Sequence, residues 1–274
     1  MKQRNIELIR LPIGYWDSEP DDPYPSTLTY IDWAMDQAAH HNISVLLDLH
    51  GAPGSQNGYN HSGRQGKASW WHDRTHRLRT LRVLRDMATR YGASPALWGI
   101  ELLNEPRMPW YRYFLLIRFY RTAYREIRTR IRPGVWTIFH DAFHPILLAG
   151  SLHTRKNHPI AMDIHWYGFP SRHVRRFSLA TYLRLQAIYL RTLIWWVQRW
   201  QPVIIGEWSA VAPQDYMERR PKRDYPHIWR ENGNHQQEIF RRSNTIATCY
   251  WTYKGQGRGV WHGRSLDEDD ILTL

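Results

Sequence analysis

The chain has 274 residues, is 42% hydrophobic and 14% aromatic, and carries a formal net charge of +12 at pH 7. That content indicates a folded globular protein with a sizeable core. No window approaches the roughly 20 apolar residues that a membrane span needs. The most apolar one, Leu183 to Trp200, is interrupted by Arg184, Arg191 and Arg199. The single Cys249 excludes an internal disulfide and a cysteine-based zinc site.

A strongly basic chain raises nucleic acid or a membrane surface as a partner. The arginines tell against it. Arg118, Arg121, Arg125, Arg128 and Arg132 recur every three or four residues, opposite an apolar stripe of Tyr113, Ile117, Tyr120, Tyr124 and Ile127. That is an amphipathic helix with a solvated face, and no nucleic-acid motif accompanies it. No nucleic-acid partner and no membrane span are expected. Fifteen tryptophans are compatible with a carbohydrate ligand, because aromatic faces stack on sugar rings; the plainer reading puts most of them in the core.

Met1 to Asn5 leads straight into a strand-like run, so no signal peptide is expected at this end. The first strand is Ile6 to Leu11, followed by Pro12-Ile13-Gly14-Tyr15-Trp16. A proline- and acid-rich loop (Asp17 to Pro25) precedes a helix from about Ser26, a plausible N-cap, to His41. Ile43 to His50 is a second buried strand. The loop beyond it holds five glycines between Gly51 and Gly66 and then Trp70-Trp71. A loop of that length is a candidate binding loop.

A helix from about Arg77 to Tyr91 leads to the strand Leu97 to Leu103, and the arginine-striped helix follows. Val135 to Phe139 is a strand ending in His140-Asp141, and Ile160 to Ile164 is another, ending at His165-Trp166-Tyr167. A helix from about Leu179 to Trp200 precedes the strand Val203 to Glu207. A helix near His235 to Arg242 precedes the last strand, Ile246 to Trp251. Helices and strands alternate, and the strands are continuous apolar runs, the pattern of parallel strands buried on both faces.

The expected fold is α/β, a (β/α)8 TIM-type barrel in which polar residues after the strand ends meet at one face. Seven strands are counted where such a barrel has eight, so the first strand–helix unit is expected to be missing at the N-terminus. With no repeat or linker, residues 1–274 are read as one catalytic domain.

Ile100 to Pro106 is the most informative stretch. Apolar residues run into Asn104-Glu105, and Pro106 must end the strand. Alone this is either a strand-ending turn or a catalytic carboxylate. A second apolar run ends in Glu207. Two strand-end carboxylates, with His50, His165, Tyr167 and Trp251 at other strand ends, suit glycosidic bond cleavage, one as acid/base and the other as nucleophile or base.

Five segments then occur in order: Arg10 to Trp16, Asp48 to Gly58, Glu101 to Pro106, His140 to Phe143 and Gly206 to Ser209. From about residue 6 to residue 254 the chain closely resembles glycoside hydrolase family 5, and within it the exo-β-1,3-glucanases. The resemblance implies a retaining mechanism, with Glu207 as nucleophile and Glu105 as acid/base, about 5–5.5 Å apart. It implies that Arg10 and Tyr167 support the ionised Glu207, and that His50 and Asn104 bind sugar hydroxyls. By the same resemblance His165 tunes Glu105 and Trp251 floors the reacting sugar. Tyr59 and Phe169 would clamp the next sugar, although Phe169 stands one residue earlier than the family's usual phenylalanine. Asp141 is placed on the same side.

The expected activity is hydrolysis of β-glucan, foremost at β-1,3 linkages. Alternatives are β-1,4 or β-1,6 linkages, a glycoconjugate substrate, or a non-catalytic glycan-binding relic. No cofactor is expected, and the protein is expected to be a monomer; the resemblance also implies export. His140, His144 and Asp141 could suggest a metal site, but they lie at a strand end and loop rather than at helical spacing, so no metal is expected. Ser55 and Ser209 lack the Gly-x-Ser-x-Gly elbow of a serine hydrolase.

Overall fold

The structure is a computed structural model, and it describes residues 5–19, 24–153, 157–168 and 177–274. Seven strands lie among them: β1 (Leu8–Gly14), β2 (Ser44–Gly51), β3 (Leu97–Glu101), β4 (Trp136–His140), β5 (Ile160–Trp166), β6 (Val203–Trp208) and β7 (Thr248–Tyr250). The helices are α1 (Leu28–His40), α2 (Arg74–Tyr91), α3 (Tyr113–Ile127), α4 (Pro145–Leu148), α5 (Leu179–Val197), α6 (Gln214–Met217), α7 (Tyr225–Arg242) and α8 (Gly263–Glu268). The chain divides into two compact units, Met1–Asp163 and Ile164–Leu274.

In the first unit β1 to β5 pair in chain order, every ladder parallel. Parallel strands need crossovers, and α1, α2 and α3 supply them. The strands are apolar on both faces as expected: Leu46, Leu47, Leu49, Ile100 and Ile138 are all fully buried. α3 buries Tyr113, Leu116, Phe119, Tyr120, Ala123, Tyr124 and Ile127. Each large side chain removed from water in this way stabilises the unit by about 1.5–3 kcal/mol. Arg118, Arg121 and Arg125 stay exposed on its outer face.

In the second unit β6 pairs parallel with β7. Tyr182, Ala212, Tyr216, Met217 and Ile228 form a core between α5, α6 and α7, and partly buried Phe177 and Trp229 pack against it.

Several boundaries differ from the sequence reading, each for a local reason. The first strand does not stop at Leu11. Pro12 sits in register with Asp48, and β1 continues to Gly14. A Cβ there would lie 2.0 Å from the Trp16 ring, so only glycine lets the chain turn over that indole. α1 begins at Leu28 with Thr27 at the N-cap, although the Ser26 hydroxyl accepts the Leu28 N–H at 3.3 Å. α2 begins three residues earlier than expected because the Asp73 carboxylate accepts the Thr75 N–H at 2.7 Å. α7 starts at Tyr225 rather than near His235 and runs through Asn232-Gly233.

The tryptophans divide between core and surface. Trp70, Trp166 and Trp208 are buried, whereas Trp33, Trp110, Trp195, Trp200 and Trp261 are exposed. Among the described residues no helix is long and apolar enough to cross a membrane.

Candidate active site

In the first unit the candidate side chains lie at or just beyond the ends of parallel strands. β2 delivers Asp48 and His50, and β3 delivers Glu101 and then Asn104-Glu105. Asp48 and Glu101 are register partners, so two carboxylates stand side by side in a buried sheet. Both are completely buried. Buried acids need a partner, and Arg10 on β1 provides it. Its Nε donates to Glu101 Oε2 at 2.8 Å. Its Nη2 donates to Asn104 Oδ1 at 2.9 Å and lies 3.1 Å from Asp48 Oδ2. Asp163 is a third carboxylate 4.0 Å away. With three acids around one guanidinium, burial pushes the Glu101 carboxyl well above the ordinary carboxylate range. Arg10 opposes that shift, and Asp48 and Asp163 reinforce it.

The same network positions two expected sugar-binding groups. His50 Nδ1 lies 2.7 Å from Asp48 Oδ2, which orients the imidazole. The Asn104 amide is fixed by Arg10, and its Nδ2 lies 3.5 Å from His50 Nε2. The Gln56 side chain donates to the carbonyls of both His50 and Asn104, at 2.7 and 2.9 Å. The glycine-rich loop is thus pinned to the ends of β2 and β3.

Glu105 comes immediately after Asn104 and adopts φ +41°, left-handed backbone that a non-glycine residue enters at a cost. Its Oε2 lies 3.3 Å from His61 Nε2. His61 sits on a 3-10 turn, Asn60–Ser62, of the glycine-rich loop. Tyr59 precedes that turn and is exposed as a binding aromatic would be. Arg107 donates to the Tyr59 hydroxyl, and its guanidinium lies over the Tyr59 ring at 5.0 Å and the Phe143 ring at 5.4 Å. Asp141 is buried, and its Oδ1 accepts the Phe143 N–H at 2.8 Å, which shapes the turn that exposes Phe143. His140 Nδ1 accepts the Ala142 N–H at 2.9 Å, and His144 packs its ring on Tyr113 at 5.3 Å.

In the second unit Glu207 lies near the end of β6, which is buried at every residue. The Tyr167 hydroxyl donates to Glu207 Oε2 at 2.5 Å, and His165 Nδ1 lies 3.4 Å from the same oxygen. A carboxylate with a short phenolic donor and an imidazole on one oxygen is held in a fixed orientation. Trp251 follows β7; its N–H donates to the Trp208 carbonyl at 2.8 Å, and its side chain is half-buried. Phe169 lies outside the described residues.

The structure therefore brings Arg10, His50 and Asn104 into one network and places Tyr167 and His165 on Glu207. Sequence reasoning gave no role to Asp48, Glu101, His61 or Arg107. A signal existed for the first two, since an acid inside an apolar strand must be neutralised or paired. For His61 and Arg107 the signal is the contact geometry of a loop, which no periodicity carries.

A family model described as "Cellulase (glycosyl hydrolase family 5)" matches residues 1–257. A protein of Aspergillus terreus, "Probable glucan 1,3-beta-glucosidase A", is 36% identical over 208 residues, covering 74% of this chain and 49% of that protein. The "Glucan 1,3-beta-glucosidase" of Pichia angusta is 36% identical over 151 residues, 53% of this chain and 34% of the relative. The chain thus spans half or less of the length of these relatives. Among solved structures, rutinosidase from Aspergillus niger superposes with a TM-score of 0.77 at 17% identity, covering 98% of this chain and 80% of that one. Endo-glycoceramidase II from Rhodococcus sp. gives 0.66 at 17% identity, covering 97% and 70%. At that identity the likeness is one of fold, and it bears out the (β/α)8 class, with seven strands among the described residues.

Proposed function

The chain belongs to glycosyl hydrolase family 5, and on that premise we propose that it is a retaining glycoside hydrolase acting on β-glucan, foremost at β-1,3 linkages. The observation that carries this reading is the environment of Glu207. A buried strand-end carboxylate receives the Tyr167 hydroxyl at 2.5 Å, with His165 at 3.4 Å on the same oxygen. A nucleophile must be aimed at the anomeric carbon, and these two contacts fix the carboxylate that would do so. The names of the relatives from Aspergillus terreus and Pichia angusta support glucan as the substrate.

In this mechanism Glu207 attacks the anomeric carbon and forms a glycosyl-enzyme ester while Glu105 protonates the departing oxygen. Glu105 then takes a proton from water, which attacks the ester and releases the sugar with its configuration retained. His50 and Asn104, oriented by Asp48 and Arg10, bind sugar hydroxyls, Asn104 the 2-OH. Trp251 floors the reacting sugar, and Tyr59 holds the next one, with Asp141 on that side. Two further roles belong to the same proposal: the charge of Arg10 favours the ionised form of Glu207, and His165 tunes the proton affinity of Glu105. Residues 1–274 act as one catalytic domain, as a monomer, without a cofactor.

The test is release of reducing sugar from laminarin, with cellulose and pustulan assayed beside it, and the anomeric configuration of the first product read by NMR. Retained configuration with laminarin preferred supports the proposal. Preference for another polymer moves the linkage. Binding of all three without turnover would make the chain a glycan-binding relic. Full activity in Glu207→Ala would overturn the mechanism.

A further inference from the structure

We propose that His61 is a positioning residue that keeps Glu105 in its protonated, proton-donating form by presenting an unprotonated Nε2 to the carboxyl group. This rests on the reading of Glu105 as acid/base.

Asn57 Oδ1 accepts the Tyr59 N–H at 2.9 Å, which fixes the orientation of the amide. The other end of that amide, Nδ2, lies 2.9 Å from His61 Nε2. An amide nitrogen only donates, so Nε2 must accept, and the imidazole proton sits on Nδ1. The same Nε2 lies 3.3 Å from Glu105 Oε2. A carboxylate oxygen beside the Nε2 lone pair is repelled, whereas a carboxylic acid in the same place shares it with the Asn57 N–H, donating its O–H as the longer arm of a three-centre hydrogen bond. The arrangement is satisfied when Glu105 carries a proton.

The neighbours leave this proton placement in force. His61 packs its ring on Tyr59 at 5.5 Å and meets the edge of His50 at 5.7 Å. His50 is engaged at Nδ1 by Asp48. The nearby cation, Arg107, is directed at the Tyr59 hydroxyl and ring. A nitrogen of His140 lies within 4.8 Å of a Glu105 oxygen, and its Nδ1 is taken by the Ala142 N–H. None of these partners supplies a proton to His61 Nε2.

The consequence has the right sign for both half-reactions. Glu105 waits protonated; its O–H bond breaks as the glycosidic oxygen leaves with the bonding pair and takes the proton. The resulting carboxylate then faces a lone pair, which strengthens it as the base that accepts a proton from water.

Two measurements decide it. The first compares wild type with His61→Ala on laminaribiose, whose leaving group needs protonation, and on 2,4-dinitrophenyl β-glucoside, whose leaving group does not. In the variant the basic limb of kcat/KM on laminaribiose should move to lower pH by roughly 0.5–1 unit, and kcat/KM on the activated glucoside, which reports only the step that needs no leaving-group proton, should stay at the wild-type value. A basic limb that stays in place or moves to higher pH overturns the proposal. The second is the 15N NMR spectrum of the His61 imidazole in the wild-type protein at neutral pH. A bare Nε2 supports the proposal, and a protonated Nε2 overturns it. Because the spectrum needs no turnover, a wild type that cleaves neither substrate would refute the functional reading while this arm still judges the proton placement.

Discussion

Arg10 and Asn104, 94 positions apart in the chain, are joined by a 2.9 Å hydrogen bond from guanidinium to amide oxygen. The bond is one tine of a fork. The other nitrogen in contact, Nε, goes to Glu101, and Asp48 is reached at 3.1 Å. One cation therefore serves two fully buried acids and sets which way the Asn104 amide faces. Arg10→Met should destabilise the protein by about 3–5 kcal/mol, because it leaves buried carboxyl groups without their cation. Arg10→Lys should fall between the two, since a point charge cannot reproduce the fork. Urea denaturation at neutral pH measures both, and an unchanged midpoint in Arg10→Met would mean that the acids do not depend on it.

Glu101 gives that cluster a pH dependence. Its folded-state pKa is raised, with burial the first cause. A raised carboxyl pKa means that the folded state holds the proton more tightly than the unfolded one. Its contribution to stability is therefore greatest at low pH and declines as pH rises above the unfolded value of about 4.3. Glu101→Gln keeps an oxygen for Arg10 Nε and removes the titration. The variant should be at least as stable as wild type at pH 7 and should lose less stability between pH 5 and pH 8. Thermal midpoints across that window check it; a variant curve parallel to wild type would assign the slope to other groups.

On the proposed mechanism Tyr167 matters to rate rather than to folding. Its hydroxyl makes a 2.5 Å hydrogen bond to Glu207, and its ring is only half-buried. Without that donor the carboxylate leaves its reacting geometry, and a misplacement of about 1 Å costs on the order of 100-fold in rate. Tyr167→Phe should thus lower kcat/KM by about that factor, a larger effect than its shift in thermal midpoint. Stopped-assay kinetics on laminarin beside calorimetry separate the two; equal loss in both would make Tyr167 a packing residue.

The contrast between Glu207 and His61 shows what could be read from the sequence. Strand-end positions are legible because parallel strands are unbroken apolar runs, and the first polar residue beyond each run is displayed. Glu105, His50, Asn104 and Glu207 are all visible that way. The Arg10 network is half legible: an arginine and two acids inside apolar runs must pair, but only the register of β2 on β3 says that Asp48 and Glu101 are neighbours. Contacts made by the glycine-rich loop were not legible. His61 reaches Glu105 through backbone that turns at Gly58 and Gly63, both at positive φ, and such turns carry no periodic signal. Helix starts failed for a similar reason, because caps and tertiary packing override propensity at the ends.

The clearest such case is α7, where Asn232-Gly233 reads as a break yet lies inside the helix. A Cβ on Gly233 would lie 2.8 Å from both terminal methyls of Leu272 and 3.2 Å from the Ala210 Cβ. The glycine is there for close packing rather than for a turn. Alanine would gain about 1 kcal/mol of helix propensity, and overpacking would cost about 1–3 kcal/mol. The Leu272 methyls are the free end of a side chain and can move, whereas Ala210 is fully buried and cannot. Gly233→Ala should therefore cost no more than about 1–2 kcal/mol, and Gly233→Val distinctly more. Gly92, at the C-terminal cap of α2, is the contrasting site: its Cβ would stand 2.0 Å from the backbone oxygen of Arg130. Backbone cannot rotate away as a methyl can, so Gly92→Ala should be the more damaging of the two alanine variants. Urea midpoints of Gly92→Ala and Gly233→Ala measured side by side test this ranking, and the reverse order would show that the Gly92 backbone yields more readily than the packing around Leu272.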